Sequence, residues 1–282
     1  DDFIRTTEQR HIDGAKALWN KLLDNNDIYL DKYKGWYSVS DETFYNEKDL
    51  DKQTDGSFKT STGGPVDWIE EESYFFRLSK YSDQLLKLYE DNPDFILPKS
   101  RKNEVVSFVK SGLKDLSISR NTFDWGIKVP NNEKHVMYVW LDALSSYLNS
   151  LGYILDSNSK LSSYWSNSTH IVGKDILRHH AVYWPAFLMS AQLDLPKRIF
   201  AHGWWTNEGN KISKSLGNAI DPIEIINMFG LDQIRYFLLR EITFGSDGDF
   251  SIDALKSRIN ADLSNDLGNL CQRSLTMIIK HC

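Results

Sequence analysis

His170-Ile171-Val172-Gly173-Lys174-Asp175-Ile176 reads as an apolar strand that ends in a glycine, passes an acidic residue and opens into a helix. An open α/β sheet takes its nucleotide at the carboxyl ends of its strands, which is where such a turn lies. Gly173 permits close approach of a ligand, and Asp175 is suited to accept hydrogen bonds from ribose hydroxyls. The plain alternative is a strand–helix turn with Asp175 as the helix cap. Working outward, a strand at residues 137–141 leads to a helix from Ala143, and the 170–172 strand leads to a long helix from Asp175. A further strand occupies 198–201. Strands separated by helices of this length predict a parallel sheet.

Upstream, Phe3-Ile4-Arg5 is strand-like, and residues 10–23 read as a helix with Ala15, Leu18, Trp19 and Leu22 at helical spacing. Residues 28–45 read as strands, and 46–67 as a turn-rich excursion containing Asp55-Gly56 and Gly63-Gly64-Pro65. Tyr74-Phe75-Phe76 is expected to enter a helix over 78–89, followed by a second helix over 103–113 and an irregular stretch over 116–128. Downstream, Asp221-Pro222 is a helix start, with helix expected to Phe237 and a last helix from near Ser251 or Asp253 towards Cys282.

The chain has 282 residues, 41% apolar and 26% charged, the composition of an ordinary globular protein of one or two domains. Its 9 Trp, 13 Tyr and 14 Phe favour a large core or an aromatic pocket. With 33 basic and 39 acidic residues the net charge is −6, which excludes bulk attraction to nucleic acid or an anionic membrane and leaves only a local patch. Two cysteines exclude a disulfide scaffold and a cysteine-rich zinc site. The longest largely apolar run, 181–191, is too short to cross a bilayer. The start of the chain lacks the anatomy of a signal peptide, so a soluble intracellular protein is expected.

Four groups of residues are candidates for chemistry. Lys211-Ile212-Ser213-Lys214-Ser215-Leu216-Gly217-Asn218 is a cationic loop of the kind that folds over a triphosphate, or else a solvated loop. It is not a Walker loop, because the glycine–lysine spacing fails. Ile176, His180 and Trp184 stand at i, i+4 and i+8, and Trp140-Leu141-Asp142-Ala143 with Tyr147 repeats the theme at the preceding strand end. An apolar aromatic hole with one histidine suits a thioether, with sulfur–aromatic contacts of about 0.3–1.5 kcal/mol; an aromatic core stripe is the alternative. His179 is expected to point elsewhere on the helix. Asn265, Asn269 and Arg273 form another i, i+4, i+8 series, fit to read unpaired bases or simply to be solvated. Asp247-Gly248-Asp249 and residues 51–56 lack the ligand series of a calcium loop and read as turns.

Together these segments resemble the class I aminoacyl-tRNA synthetases, and among them the methionyl branch. Lys211 to Ser215 matches the KMSKS signature with Ile212 in the methionine position. His202-Gly203, Gly173-Lys174-Asp175-Ile176, Trp184-Pro185-Ala186-Phe187 and Trp140-Leu141-Asp142-Ala143 look like that branch's blocks in the right order. Trp68-Ile69-Glu70-Glu71-Glu72-Ser73-Tyr74-Phe75-Phe76-Arg77-Leu78-Ser79 resembles its connective-peptide insertion. The likeness covers nearly the whole chain.

The resemblance implies an α/β fold: a Rossmann-type parallel-sheet catalytic domain, an inserted connective-peptide domain and the start of a C-terminal helical bundle. Residues 1–27 and 119–222 would form the catalytic domain and 28–118 the insertion. Residues 223–250 would be a linking, stem-contact region, and 251–282 the start of the anticodon-binding bundle. Lys214, assisted by Lys211, would bind ATP phosphates and stabilise the transition state. Ser213, Gly173, Asp175, His202 and Arg120 would complete the ATP site. Trp140, Ala143, Tyr147, Ile176, His180 and Trp184 would form the methionine pocket, while Asn265, Asn269 and Arg273 would meet the anticodon. The implied partners are methionine, ATP with Mg2+ and tRNA(Met), for a monomer in a bacterial-type cytoplasm or an organellar matrix, with no membrane.

No HIGH signature is found. His11-Ile12-Asp13-Gly14 echoes it only superficially, because the family keeps that motif on an earlier βα unit. The expectation is an internal portion of the enzyme, without the HIGH-bearing segment or most of the anticodon-binding domain, and not active alone. Residues 46–67 carry no cysteine where many relatives carry zinc knuckles, so no structural zinc is expected. Two other readings stay open: a sibling synthetase for leucine, isoleucine or valine, and a non-catalytic synthetase-derived RNA-binding or scaffolding module.

Overall fold

The structure, a computed structural model, describes residues 3–38, 43–45, 47, 50–53, 55–60, 64–155, 162–212 and 218–282. The elements begin with α1 (Gln9–Asp24), β1 (Ile28–Ser38), β2 (Thr43–Tyr45), β3 (Asp51–Lys52), β4 (Phe58–Lys59), β5 (Asp67–Phe76), α2 (Ser82–Asp91), β6 (Ile96–Leu97) and α3 (Lys99–Lys110). Then come β7 (Leu116–Ser117), β8 (Ser119–Arg120), β9 (Lys128–Val129), β10 (Asn132–Met137), α4 (Val139–Asn149), α5 (Ser162–Trp165), β11 (Thr169–Gly173), α6 (Trp184–Ser190) and β12 (Arg198–His202). The chain ends with β13 (Trp205–Asn207), β14 (Asn210–Lys211), α7 (Pro222–Phe229), α8 (Leu231–Arg240), β15 (Gly248–Phe250), α9 (Ile252–Arg258) and α10 (Asn269–His281). The sheets have the orders β2-β1-β5-β7, β8-β10-β9, β11-β12-β6, β14-β13-β15 and β3-β4. Two compact units result: Asp1–His170 with Arg178–Ile199, and Ile171–Leu177 with Phe200–Cys282.

In the first unit, α1 buries the predicted Ala15, Leu18, Trp19 and Leu22, and also His11 and Gly14. His11 Nε2 lies 2.6 Å from Asp142 Oδ1, while Asn149 Nδ2 donates to His11 O at 3.1 Å and to Ser145 Oγ at 3.1 Å. A Cβ on Gly14 would sit 1.9 Å from Asn149 Oδ1, so only glycine leaves room for the Asn149 amide from α4 in this position. The His11–Gly14 segment is therefore a helix-packing device. Nearby, the buried Asp27 accepts from Lys80 Nζ (2.7 Å), Ser190 Oγ (2.7 Å) and the Tyr81 hydroxyl. Burial alone would raise its pKa, but the hydrogen bonds from Lys80, Tyr81 and Ser190 outweigh it and hold the carboxyl below the ordinary range.

Several boundaries differ from the sequence expectation, each for a local reason. Tyr74, Phe75 and Phe76 end a strand, because β5 pairs antiparallel with β1 from Ile28↔Phe76 to Tyr37↔Asp67; a 3₁₀ turn, Leu78–Tyr81, then leads to α2. The second helix starts earlier, directly after Pro98. Strand β10 stops at Met137; Tyr138 is extended, and Trp140 stands in the first turn of α4 rather than at a strand end. The stretch 116–128 holds short paired strands.

The long helix expected from Asp175 is a 3₁₀ turn (Lys174–Ile176), a π-helical segment (His179–Tyr183) and then α6. Pro185 offers no N–H to the Ala181 carbonyl four residues back, and the Tyr89 hydroxyl donates to that oxygen instead, at 2.6 Å. A π-helical turn is what such a disrupted ladder produces.

In the second unit, β13 and β14 form a hairpin whose turn residues Glu208 and Gly209 have φ of 50° and 77°, the signs a tight two-residue turn requires. Strand β13 also pairs parallel with β15. The core is Ile234, Phe237, Phe250 and Leu255, with Trp205, Ile220 and Phe229 packed on it. The helix expected to run to Phe237 breaks at Gly230, whose φ is 94°. Asp221 Oδ1 caps α7 through Ile223 N (2.8 Å), and Ser251 Oγ caps α9 through Ala254 N (3.1 Å). A π-helical segment, Ile259–Gly268, joins α9 to α10. Both cysteines are free and exposed. Among the described residues no helix is long and apolar enough to cross a membrane.

Candidate functional site

The first unit holds a nest of rings around the start of α4 and the π-helical segment. Tyr147 Oη and His180 Nε2 lie 2.8 Å apart, and Tyr147 leans on His170 at a centroid distance of 4.2 Å. Trp165 and Trp184 meet edge to face at 6.1 Å, and both are almost fully buried. Trp140 stacks on His179 at 3.8 Å and meets His180 edge to face at 6.2 Å. Four of the predicted pocket residues, Trp140, Tyr147, His180 and Trp184, thus stand in one aromatic neighbourhood, and Ala143 lies on the same helix as Tyr147. Ile176 belongs to the other unit. His179, expected to point away, stacks on Trp140; His170 and Trp165 were not anticipated at all. The π-helical segment shifts the side chains from their α-helical directions, so spacing alone could not place His179.

Burial, followed by the nearby His180, pushes the His170 imidazole down to about 3, and burial raises the Tyr147 phenol. Unfolded His170 titrates near 6.5, so between about pH 6.5 and 3 the unfolded chain holds the extra proton. The stability tied to His170 is whole above about pH 6.5. It is lost as pH falls towards 3, by up to about 1.4 kcal/mol per pH unit. Urea unfolding across that range should show this slope, and His170→Phe should remove it; an unchanged slope in the variant would exclude His170 as its source.

The second unit carries the turn that opened the sequence reading. Trp204 Nε1 donates to Asp175 Oδ1 at 3.1 Å, Lys174 Nζ sits 4.4 Å from the Trp204 ring centroid, and Lys174 Nζ lies 2.5 Å from Asp247 Oδ2. Asp247 Oδ1 also accepts from Trp204 N at 2.8 Å. A Cβ on Gly173 would lie 2.4 Å from Asp175 Oδ1, and one on Gly203 only 2.2 Å from the Ser246 carbonyl oxygen. Gly203 is thus required by the close approach of backbone, whereas a side chain at Gly173 would displace the Asp175 carboxylate. His202 Nδ1 is 2.8 Å from Gly203 O, which makes Nε2 of the neutral ring the acceptor. A cavity of about 330 Å3 is lined by Asp175, His202, Gly203, Trp204, Trp205, Thr206 and Ile212. Trp204 and Asp247 were missed from sequence; Asp247 sits in the segment read as a mere turn.

Strand β14 brings the backbone of Lys211 opposite Thr206. Ser213 and Lys214 lie outside the described residues. Arg120, on β8, is almost wholly buried at 5% exposure, with its guanidinium 4.7 Å from the Tyr138 ring centroid. Asn265 stands in the π-helical segment and Asn269 and Arg273 on α10, all three exposed. Among the described residues no group of three or more His, Cys, Asp or Glu is placed to hold a metal ion.

A cavity at a strand–turn, preceding a Lys-x-x-Lys loop and with a π-distorted aromatic nest upstream, points to a class, and the comparison with known proteins names it. The family model for tRNA synthetases class I (M) matches residues 1–57 and 57–275, and the chain belongs to this family. It is 61% identical over 282 residues to the methionine–tRNA ligase of Brucella suis and 62% identical over 281 residues to that of Rickettsia conorii. All of this chain is covered in both alignments, against 55% and 54% of those relatives, so the chain spans about half the length of the curated relatives it matches. Among solved structures it resembles Mycobacterium tuberculosis methionyl-tRNA synthetase in complex with methionyl-adenylate, with a TM-score of 0.92 and 56% identity. That match covers 99% of this chain and 55% of the other. The chain therefore has the α/β, Rossmann-type fold of the class I synthetases.

Proposed function

We propose that this chain belongs to a methionine–tRNA ligase, which activates methionine with ATP and passes it to the 3′ end of tRNA(Met). The observation that carries this reading is the Tyr147–His180 couple, 2.8 Å apart within a nest of rings. It offers one polar contact to a soft side chain in otherwise apolar surroundings. A leucine, isoleucine or valine side chain has nothing to offer that couple, which favours a thioether over the aliphatic siblings.

In the first step the methionine carboxylate forms a bond to the α-phosphorus of ATP, and the bond to the β-phosphate oxygen breaks. Pyrophosphate leaves and methionyl-adenylate remains. In the second step a hydroxyl of the terminal ribose attacks the carbonyl carbon, and AMP departs. Trp140, Ala143, Tyr147, Ile176, His180 and Trp184 would hold the methionine side chain. Gly173, Asp175 and His202 would hold the adenosine side, and Asp175 would exchange its bond from Trp204 for a ribose hydroxyl. Lys211, Ser213, Lys214 and Arg120 would meet the phosphates, with Mg2+ arriving on the nucleotide. Asn265, Asn269 and Arg273 would begin the anticodon contact. No protein nucleophile is needed, because positioning and charge stabilisation carry such transfers. Residues 28–118 would be the connective-peptide insertion, and the enzyme would work in the cytoplasm.

Tyr147→Phe tests the pocket. Losing one polar contact of about 1.4 kcal/mol should raise the KM for methionine roughly tenfold and leave kcat nearly unchanged. An unchanged KM would remove Tyr147 from the methionine site.

A further inference from the structure

We propose that a buried hydroxyl relay, Ser117–Ser73–Ser119 with His135 at its end, fixes the Arg120 guanidinium, making these positioning residues for the activation step. The proposal rests on the reading of Arg120 as a phosphate-side residue. Arg120 Nη1 donates to Ser117 Oγ at 2.8 Å and to the Ser119 carbonyl at 2.7 Å. Ser117 Oγ is 2.7 Å from Ser73 Oγ, and Ser73 Oγ donates to the same Ser119 carbonyl at 3.0 Å. Ser119 Oγ accepts from Tyr74 N at 2.8 Å and lies 3.1 Å from His135 Nδ1, while His135 Nε2 lies 3.5 Å from Glu72 Oε1. Ser73, Ser119 and His135 are buried, at 2%, 0% and 1% exposure.

A guanidinium and a backbone amide can only donate, so Ser117 Oγ accepts from Arg120 Nη1 and Ser119 Oγ accepts from Tyr74 N. Ser73 Oγ also lies 3.2 Å from the Tyr74 carbonyl oxygen and 3.4 Å from Ser119 Oγ, which closes the cluster. The relay ties together four strands, β5, β7, β8 and β10, from two different sheets. The acceptors at Nη1 are a hydroxyl and a carbonyl, which fix the plane of the guanidinium.

A double-mutant cycle on the full-length protein, read by methionine-dependent ATP–pyrophosphate exchange, tests the relay. Arg120→Ala should lower kcat about 100-fold, and Ser117→Ala about tenfold with the KM for methionine unchanged. Ser117→Thr, which keeps the hydroxyl, should restore most of the rate. The Ser117→Ala/Arg120→Ala variant should be no slower than Arg120→Ala, because a positioning residue has nothing left to position. Ser73→Ala, one step along the relay, should give the same pattern and serves if Ser117→Ala does not fold. Multiplying effects in the double variant, or a full rate in both serine variants, would overturn the relay while leaving Arg120 in place. A full rate in Arg120→Ala would overturn the reading of Arg120 itself, and the relay with it.

Discussion

Replacing Lys214 by alanine should lower methionine-dependent ATP–pyrophosphate exchange by about 10²–10³-fold, the usual effect of removing one preorganised donor from a developing oxyanion. The loss should fall on kcat, since in the proposed role Lys214 would meet charge that grows as the bond to pyrophosphate breaks. Lys214→Arg should recover only part of the rate, because a forked guanidinium does not replace a compact ammonium. Lys211→Ala should cost less, about tenfold, in keeping with an assisting role. Methionine binding, measured separately by tryptophan fluorescence, should stay within about twofold in both variants, because the pocket rings are remote in sequence from the loop. A Lys214→Ala enzyme with undiminished exchange would remove the lysine loop from the mechanism.

The largest effect on stability is expected at Gly14. In a solvated helix, glycine to alanine gains about 1 kcal/mol. Here the new methyl would lie 1.9 Å from Asn149 Oδ1, and that amide would have to leave its bonds to His11 and Ser145. Overpacking at about 1–3 kcal/mol and unmade buried hydrogen bonds at about 1–3 kcal/mol exceed the helix gain. The net loss should be on the order of 3 kcal/mol, seen as a lower urea midpoint with an unchanged slope. Combining Gly14→Ala with Asn149→Ala should cost less than the sum of the two. A stabilised Gly14→Ala protein would show that the close approach of α1 and α4 is not a constraint.

Much of this molecule was legible in its sequence because local chemistry dictated it. The spacing of Ala15, Leu18, Trp19 and Leu22 yielded α1, Asp221-Pro222 yielded the start of α7, and the strand–glycine–acid stretch at 170–176 yielded β11 and the turn after it. Asp175, His202 and Gly203, singled out from the sequence, line one cavity. What escaped depended on partners distant in sequence. Tyr89 satisfies the carbonyl that Pro185 leaves open and so permits the π-helical segment; nothing near residue 181 announces a tyrosine at 89. That segment turns His179 onto Trp140. Asp247, read as part of a turn, holds Lys174 and the Trp204 amide. The serines around Arg120 are ordinary strand residues until three strands bring them together. Gly230 ended a helix that apolar periodicity would have continued, because a residue at positive φ cannot extend an α-helix.

The most direct measurement is amino-acid-dependent ATP–pyrophosphate exchange on the full-length protein from its source, with methionine, leucine, isoleucine and valine offered separately. The proposed function predicts exchange with methionine and none above background with the other three. Exchange driven by leucine, isoleucine or valine would contradict the assignment of the Tyr147–His180 nest to a thioether, and silence with all four would contradict the ligase reading itself.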